Sequence, residues 1–385
     1  MNEKNFEILI IGAGVIGSSI AYHLARQGRK VLVIERSGIA VKPAASWASA
    51  GGVRRQGRHP AEAQLAIKAI ARWQTLEQEL EADLHYRRGG NLMLAETDAE
   101  AEQLVKFVQR QQQQGFTDVQ LVDRREAHAL VPGLNDQVTA GSYSPGDGQA
   151  DPALTTRAFA AAAERHGATY WTGTAVLSLL LSGEKVIGVQ TERGEMHVEH
   201  VILAAGAWSN ELVTSVGLSL PIRPRALQMI LSTPASSITV QPVLSAVNRN
   251  LSLKQLRNGA FLLGGGWPGD LTPDRRSYIL RSDSIQGNWM TASELLPEVG
   301  QQQIDRAWCG LEALSFDDIP FIGPAPGIDG LTLALGFSGH GFAISPAVGR
   351  AVADQLAGRP APELDGLNPA RIVGFDPAQV AAFLT

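Results

Sequence analysis

Residues 8–18 read ILIIGAGVIGS, and nothing else in the chain constrains its fold as tightly. Four apolar residues run straight into Gly12, Gly14 and Gly17. An unbroken apolar run suits a central parallel strand covered on both faces. The glycines allow a tight turn, a close approach of backbone to a phosphate-bearing ligand, and a helix start. Ile16, Ile20 and Leu24 then recur every four residues with Ala21 and Ala25 beside them, one apolar helix face that Gly28 closes. VLVIE (31–35) reads as the next strand and ends in Glu35, 18 positions after Gly17 (35 − 17). That spacing is close to the ~20 residues expected of the acid that binds a ribose hydroxyl. Its carboxylate repels a 2′-phosphate and so disfavours NADP, while Arg36 beside it pulls the other way. The pattern predicts a bound adenine dinucleotide. It does not choose between a nicotinamide that comes and goes and a flavin that stays.

A chain of 385 residues is long for one core and predicts two domains. Hydrophobic content of 44%, 18% charged residues and 40 glycines describe a globular protein with many close turns. The net charge of -5, with no basic stripe, argues against a nucleic-acid partner. Cys309 is the one cysteine, which excludes an intrachain disulfide and a cysteine-rich metal site and suits a reducing cytoplasm. No residue cluster predicts a bound metal. MNEKNFE leads directly into the first strand, with no room for a signal peptide. No apolar run approaches the ~20 residues of a membrane span, which leaves only peripheral attachment to a membrane open.

Further along, ASWASAGGVRRQG (45–57) is small, polar and glycine-rich before it turns basic. It reads as a surface loop or as a loop over the diphosphate and ring of the cofactor. Residues 61–82 predict a helix with Leu65, Ile70, Trp73 and Leu76 on its apolar side. LHYRRGGNLMLAE predicts a strand pair, and TDAEAEQLVKFVQRQQQQG a polar helix behind a Thr-Asp cap. DPALTTRAFAAAAERHG is a helix capped by Asp151, begun by Pro152 and closed by Gly167. ATYW supplies a strand, and KVIGVQT pairs with EMHVEHV across Glu192-Arg193-Gly194 as a hairpin. His197 and His200, at spacing three on one strand, face opposite ways and read as structural. HVILAAGAWS (200–209) is a buried strand that ends in Ala204, Ala205 and Gly206, small enough for close ligand approach. Residues 215–320 read as a mostly antiparallel sheet, with no helical period until TASELLPEVG.

From Leu331 the α/β pattern returns: a strand, then Gly336, Gly339 and Gly341 along a loop. A helix follows, capped by Ser345, begun by Pro346 and closed by Gly358. A nicotinamide enzyme has no need of a second glycine-rich strand-to-helix turn at its far end. A buried flavin does, because its ring lies far from the adenine. A helix N-terminus, worth roughly half a positive charge, stabilises the negative charge that reduced flavin carries near N1 and O2.

With these residues in view, the chain resembles the D-amino acid oxidase-like flavoproteins. These include glycine oxidase, sarcosine oxidase, D-amino acid dehydrogenase and the flavin subunits of opine and hydroxyproline dehydrogenases. The likeness rests on IGAGVIGSSIAYHLARQG, SWASAGGVRRQ, DGQADPALTTRAFAAAAERHGA, VILAAGAWS, and WCGLEALSFDDIPFIGP followed by GFSGHGF, and covers nearly the whole chain. It implies an α/β fold in which a Rossmann-like FAD-binding domain (1–80, 140–212 and 325–385) interleaves with a mostly antiparallel-sheet substrate domain (81–139 and 213–324). It implies FAD and the oxidation of an amino, imino or N-substituted amino acid to an imine. The hydride goes to flavin N5 with no obligatory side-chain base, and oxygen or another acceptor reoxidises the flavin. The alternatives are a flavin subunit active only beside partner subunits and, from the first turn alone, an NAD-dependent dehydrogenase.

Residue by residue, the resemblance puts Gly12, Ala13, Gly14, Val15, Ile16, Gly17, Glu35 and Arg36 at the ADP portion. Ser46, Ser49, Ala50, Gly51 and Gly52 lie along the diphosphate and ring, and Arg54 faces the flavin. Val176 meets adenine; Ala205, Gly206 and Trp208 form the phosphate-side turn. Gly336, Gly339, His340, Gly341 and Phe342 sit at the pyrimidine edge of the flavin, where His340 either bonds the ring or is structural. Several members clamp the substrate carboxylate with an arginine where WCGLEA has Glu312, and a carboxylate cannot do this. Glu312 is therefore read as a pocket residue, as in opine, proline or hydroxyproline dehydrogenases, or as half of a salt bridge. The carboxylate partner is then sought among Arg55, Arg58, Arg223 and Arg225. The cysteine that tethers flavin in sarcosine oxidases falls on Gly310, one place after Cys309. A one-residue shift turns the side chain to the other face, so FAD is expected to be noncovalent. A lysine of the sarcosine oxidases is replaced by Ala343, leaving flavin O2 to backbone groups and the helix end.

Overall fold

A computed structural model describes residues 6–384. Ile8–Ile11 is the centre of a six-stranded sheet. Val31–Ile34 and then Thr169–Trp171 lie on one side of it, His200–Leu203, Leu331–Leu335 and Phe321–Pro324 on the other. All pairs are parallel except the last, which is antiparallel. The unbroken apolar runs are needed because both faces are covered. Ile8, Ile10, Val31 and Val33 pack under a layer of helices that includes Val15–Arg26, Pro60–Trp73, Pro152–Arg165 and Gly341–Leu356. Leu9, Ile11, Leu32 and Ile34 pack on the opposite face against Leu179, Val186 and Val189 of a three-stranded antiparallel sheet. Each fully buried side chain of this kind contributes about 1.5–3 kcal/mol relative to exposure.

The larger sheet has eight strands, in the order Ile304–Ser315, Ile222–Pro234, Ala260–Gly264, Arg249–Gln255, Val243–Ala246, Asn91–Ala95, Ala140–Ser144 and Gln120–Asp123. Only Val243–Ala246 with Asn91–Ala95 is parallel. One face holds Ile230, Leu253, Phe261 and Leu263 against Ala292, Leu295 and Val299 of the helices Ser282–Leu295 and Pro297–Gly300. The other carries Met229, Leu231 and Leu262 and closes on Ala50 and Trp308. The second face is therefore a roof over the 45–52 loop.

Several local expectations change. Ala140–Ser144 pairs with Asn91–Ala95 in the larger sheet, and Phe321–Pro324 belongs to the smaller one, so the segments interleave at different points from 140 and 325. The segment LHYRRGGNLMLAE makes one named strand, Asn91–Ala95, rather than a pair with its own neighbour. The 61–82 helix is two, Pro60–Trp73 and Leu76–Leu80. Ser282–Leu295 starts well before TASELLPEVG, its period masked by polar residues and by Gly287, which lies against the Trp267 ring. The last long helix begins at Gly341, with His340 at its N-cap and Pro346 inside it. Pro346 has no N–H for the Phe342 carbonyl, and the Ser345 hydroxyl donates to that oxygen instead, at 2.9 Å. His197 and His200 lie on different strands, and His200 Nε2 is 2.8 Å from Thr332 Oγ1. No helix among the described residues is long and apolar enough to cross a membrane.

A candidate cofactor cleft and its polar flank

At the C-terminal end of Ile8–Ile11 the chain makes the turn that its glycines anticipate. Gly12 has φ +104°, and a Cβ there would lie 2.5 Å from the Ala204 carbonyl oxygen, on the neighbouring strand end. A Cβ on Gly17 would strike the Gly12 carbonyl. The helix Val15–Arg26 then starts with no side chain of its own as cap. Ser46, from the following loop, accepts the Val15 N–H at 2.9 Å. Glu35 Oε2 accepts from the Ala13 N–H and Oε1 from the Ser37 N–H, both at 2.9 Å.

These groups open onto a cleft of about 680 Å³, within the range of cofactor sites. Of the residues singled out from sequence, Gly12, Ala13, Gly14, Val15, Ile16, Glu35, Arg36, Ser46, Ser49, Val176, Ala205, Gly206, Trp208, Glu312, Gly336, Gly339, Gly341 and Phe342 line it. Seven do not. Gly17 serves helix–strand packing, and Ala50 packs beneath the roof. Gly51, at φ +70°, has no room for a Cβ beside the Ala150 carbonyl, and Gly52 begins a short strand paired with Gly148–Gln149. Gly310 faces Ala48, where a Cβ would come within 2.5 Å of its Cβ. Arg54 and His340 lie on the polar flank described below. Sequence reading missed the 40–44 stretch, Leu311, Ala313 and Phe337, which also line the cleft. Apart from Lys42 they are ordinary apolar or small residues, and they carry no pattern.

Glu312 stands in the wall of the cleft, and burial pushes its carboxyl up to about 7, against a hydrogen bond from the Gly339 backbone. It has no ion-pair partner among the described residues, which removes the salt-bridge reading; Arg225, opposite it in register, is exposed. Three of the four candidate arginines are out of place or engaged. Arg55 pairs with Asp118 and with Asp147 at 3.5 Å. Arg223 donates to the Phe383 carbonyl at 2.9 Å and covers the Phe383 ring. Arg225 faces solvent. Arg58 is 5% exposed, and its Nη1 has no partner.

Arg58 belongs to a flank that local sequence does not reveal. Its Nε donates to the Arg54 carbonyl at 3.0 Å, and Arg54 Nη1 donates to the Gln56 carbonyl at 2.9 Å. Burial lowers the affinity of both guanidiniums for their protons, to about 10 for Arg58. Glu62, 0% exposed, places Oε2 3.1 Å from His340 Nδ1, and its Oε1 has no partner. Burial raises the Glu62 carboxyl, but the hydrogen bond from His340 and the charge of Arg58 outweigh it and leave it below the usual range. Burial and Arg58 lower the affinity of His340 for a second proton, against the pull of Glu62. Lys254, which sequence reading also passed over, is buried on the roof face and drawn down to about 7 by burial. No cluster that could hold a metal ion occurs among the described residues.

The FAD dependent oxidoreductase family, DAO, matches residues 7–355. The chain belongs to this family. It is 33% identical to a glycine oxidase of Pseudomonas aeruginosa, over 91% of this chain and 95% of that one. It is 28% identical to mouse mitochondrial dimethylglycine dehydrogenase over 95% of this chain, but spans only 44% of that longer protein. A crystal structure of L-proline dehydrogenase from P. horikoshii superposes with a TM-score of 0.88 at 29% identity, covering 96% of this chain and 98% of that one. The protein is an FAD-dependent amino acid oxidoreductase, with the Rossmann-like sheet and antiparallel roof of its family.

The cleft suits FAD on its own terms. Its glycines admit backbone close to a ligand, and two helices, Val15–Arg26 and Gly341–Leu356, begin at its edge with no capping bond from their own N-cap side chains. The buried Trp208 Nε1, in its lining, has no partner.

Proposed function

We propose that the protein oxidises the C–N bond of an amino acid bearing a secondary or substituted amine, giving the imine, with FAD held noncovalently in the cleft. The observation that carries this reading is Glu312: a carboxyl in the cleft wall, near neutrality in its affinity for a proton and without a cationic partner. Such a group holds a substrate ammonium and, at its carboxylate oxygen, can take the proton that the nitrogen must lose. Bound FAD supplies the two-electron acceptor. Oxidation to C=N removes a hydride equivalent from carbon, which that acceptor would take, and one proton from nitrogen, which Glu312 would take.

The other residues bind, orient and exclude water. Ser46 and Glu35 hold the loops that would face the ADP portion, and the Gly341–Leu356 N-terminus would face the pyrimidine edge. Met229, Leu231, Leu262 and Trp308 form an apolar roof, and the Trp308 indole N–H anchors it to the Ala48 carbonyl at 3.0 Å. Arg58, whose buried Nη1 has no partner while Arg55 is held by Asp118 and Asp147, is the proposed partner of the substrate carboxylate. The names of two relatives, a proline and a dimethylglycine dehydrogenase, support an N-substituted substrate and that of the glycine oxidase supports glycine; the choice between them rests on Glu312.

Glu312→Gln tests this directly, since it keeps the shape and removes the charge. On the best amino-acid substrate the variant should lose ~1–3 kcal/mol of substrate or transition-state binding, with its FAD content unchanged. Equal rates of anaerobic flavin reduction and equal half-saturation would make Glu312 structural.

A further inference from the structure

The contact between His340 and Glu62 joins residues 278 positions apart and lies beside the cleft without opening into it. His340 is the N-cap of the helix Gly341–Leu356, and its neighbours Gly339, Gly341 and Phe342 line the cleft. Its imidazole turns the other way, toward the helix Pro60–Trp73, where Glu62 sits in the first turn. Burying a carboxylate completely and leaving one of its oxygens without a partner is costly unless the charge has a use. Here the second oxygen meets Nδ1, so the neutral imidazole carries its proton on Nδ1 and leaves Nε2 bare.

The charges facing this pair all come from two stretches of chain. Glu62 and His59 bracket the start of Pro60–Trp73. Arg54 and Arg58 precede it, and Asp147, buried and bonded to the Arg55 and Gln56 N–H groups, stands behind the arginines. Burial and the two arginines disfavour the His340 cation, and Glu62 alone favours it. New negative charge at the adjoining end of the cleft would tip that balance.

Given FAD in the cleft, as the reading above requires, we propose that Glu62 is the positioning residue for a redox-linked proton site at His340. Glu62 fixes the Nδ1–H tautomer, and His340 Nε2 takes up one proton when the cofactor is reduced. The substrate gives up two electrons and two protons in forming its imine. One proton would travel with the electron pair to the cofactor; the other, taken from nitrogen by Glu312 and passed to solvent, is matched by the one bound at His340 Nε2. The resulting imidazolium lies between the Glu62 carboxylate and the helix end and compensates the charge left on the ring.

The test uses a chemical reductant and a redox dye, so it stands whether or not an amino acid reduces the protein. The midpoint potential of the FAD-loaded protein is followed against pH; each proton taken up with two electrons adds about 30 mV per pH unit to the slope. Above neutral pH the wild type should take up two protons per two electrons. Glu62→Gln, whose amide oxygen still accepts from Nδ1 but carries no charge, should take up one, and its potential should fall. His340→Asn, which has no proton site, should behave in the same way if Glu62→Gln does not fold. Glu312→Gln separates the other nearby carboxyl and should keep the second proton. A wild-type slope in either Glu62→Gln or His340→Asn would overturn the proposal. Loss of the second proton in Glu312→Gln alone would place the site at Glu312 and overturn it as well.

Discussion

Glu35 shows how a single residue serves structure and ligand together. Its two oxygens already hold the Ala13 and Ser37 N–H groups, which shapes both walls of the cleft around the expected ribose. Glu35→Ala removes charge-assisted hydrogen bonds worth ~1.5–3 kcal/mol each in typical cases. The variant should purify partly as apoprotein and regain activity with added FAD; flavin retained as in the wild type would mean that Glu35 does not face the ribose. The glycines and Glu35 were readable from sequence because their spacing follows from close packing: a Cβ at Gly12 or Gly17 has nowhere to go. Glu62 was not readable. It sits in an ordinary amphipathic helix, and only folding brings it to His340. The arginines show the same limit, since sequence offers the four cations as equals and the partners that occupy Arg55 and Arg223 come from distant segments.

Strand register decides the fate of the cysteine. In Ile304–Ser315, Gly310 faces Ala48, whereas Cys309 is 0% exposed on the opposite side with Ala226 and Leu311. Burial pushes its thiol up to about 12, far from a reactive thiolate. Acid precipitation should therefore release all the flavin into the supernatant, and Cys309→Ser should bind FAD as the wild type does. Colour left in the pellet would contradict both. Capping was equally legible: Asp151 Oδ1 accepts the Leu154 N–H at 2.9 Å, and Asp151→Ala should cost about 1 kcal/mol in urea unfolding. Gly341–Leu356 starts five residues before the position its sequence suggests because Ser345-Pro346 imitates a cap, while the hydroxyl in fact serves a carbonyl inside the helix. In the helix Val15–Arg26, His23 is 3% exposed, and burial, with Arg72, Arg350 and Arg26 nearby, lowers it from 6.5 to about 3. The folded state must keep it neutral while the unfolded chain protonates it near 6.5. Its contribution is thus intact above pH 6.5 and is lost as pH falls from 6.5 towards 3, by up to ~1.4 kcal/mol per pH unit. Urea midpoints should fall less between neutral and mildly acidic pH in His23→Leu than in the wild type; an equal fall would assign the acid sensitivity elsewhere.

At the scale of the molecule, two sheets built from interleaved segments meet at one cleft. The smaller sheet brings the turn after Ile8–Ile11, the end of His200–Leu203 and the helix Gly341–Leu356 to its floor. The larger contributes Leu311, Glu312 and Ala313 to its wall and an apolar face over the 45–52 loop. The smaller sheet was legible because parallel strands buried on both faces are written as local apolar runs. The order of the larger one was not, because its pairings, such as Asn91–Ala95 with Val243–Ala246, join segments about 150 residues apart and leave no local mark. The account rests on this assembly acting as an oxidoreductase of N-substituted amino acids. The most direct measurement is anaerobic bleaching of the bound flavin by glycine, N-methylglycine, N,N-dimethylglycine and L-proline, each at saturating concentration and in the absence of any other protein. The account predicts rapid bleaching by at least one of the substituted or cyclic amino acids and much slower bleaching by glycine; fastest bleaching by glycine, or none by any of the four, would contradict it.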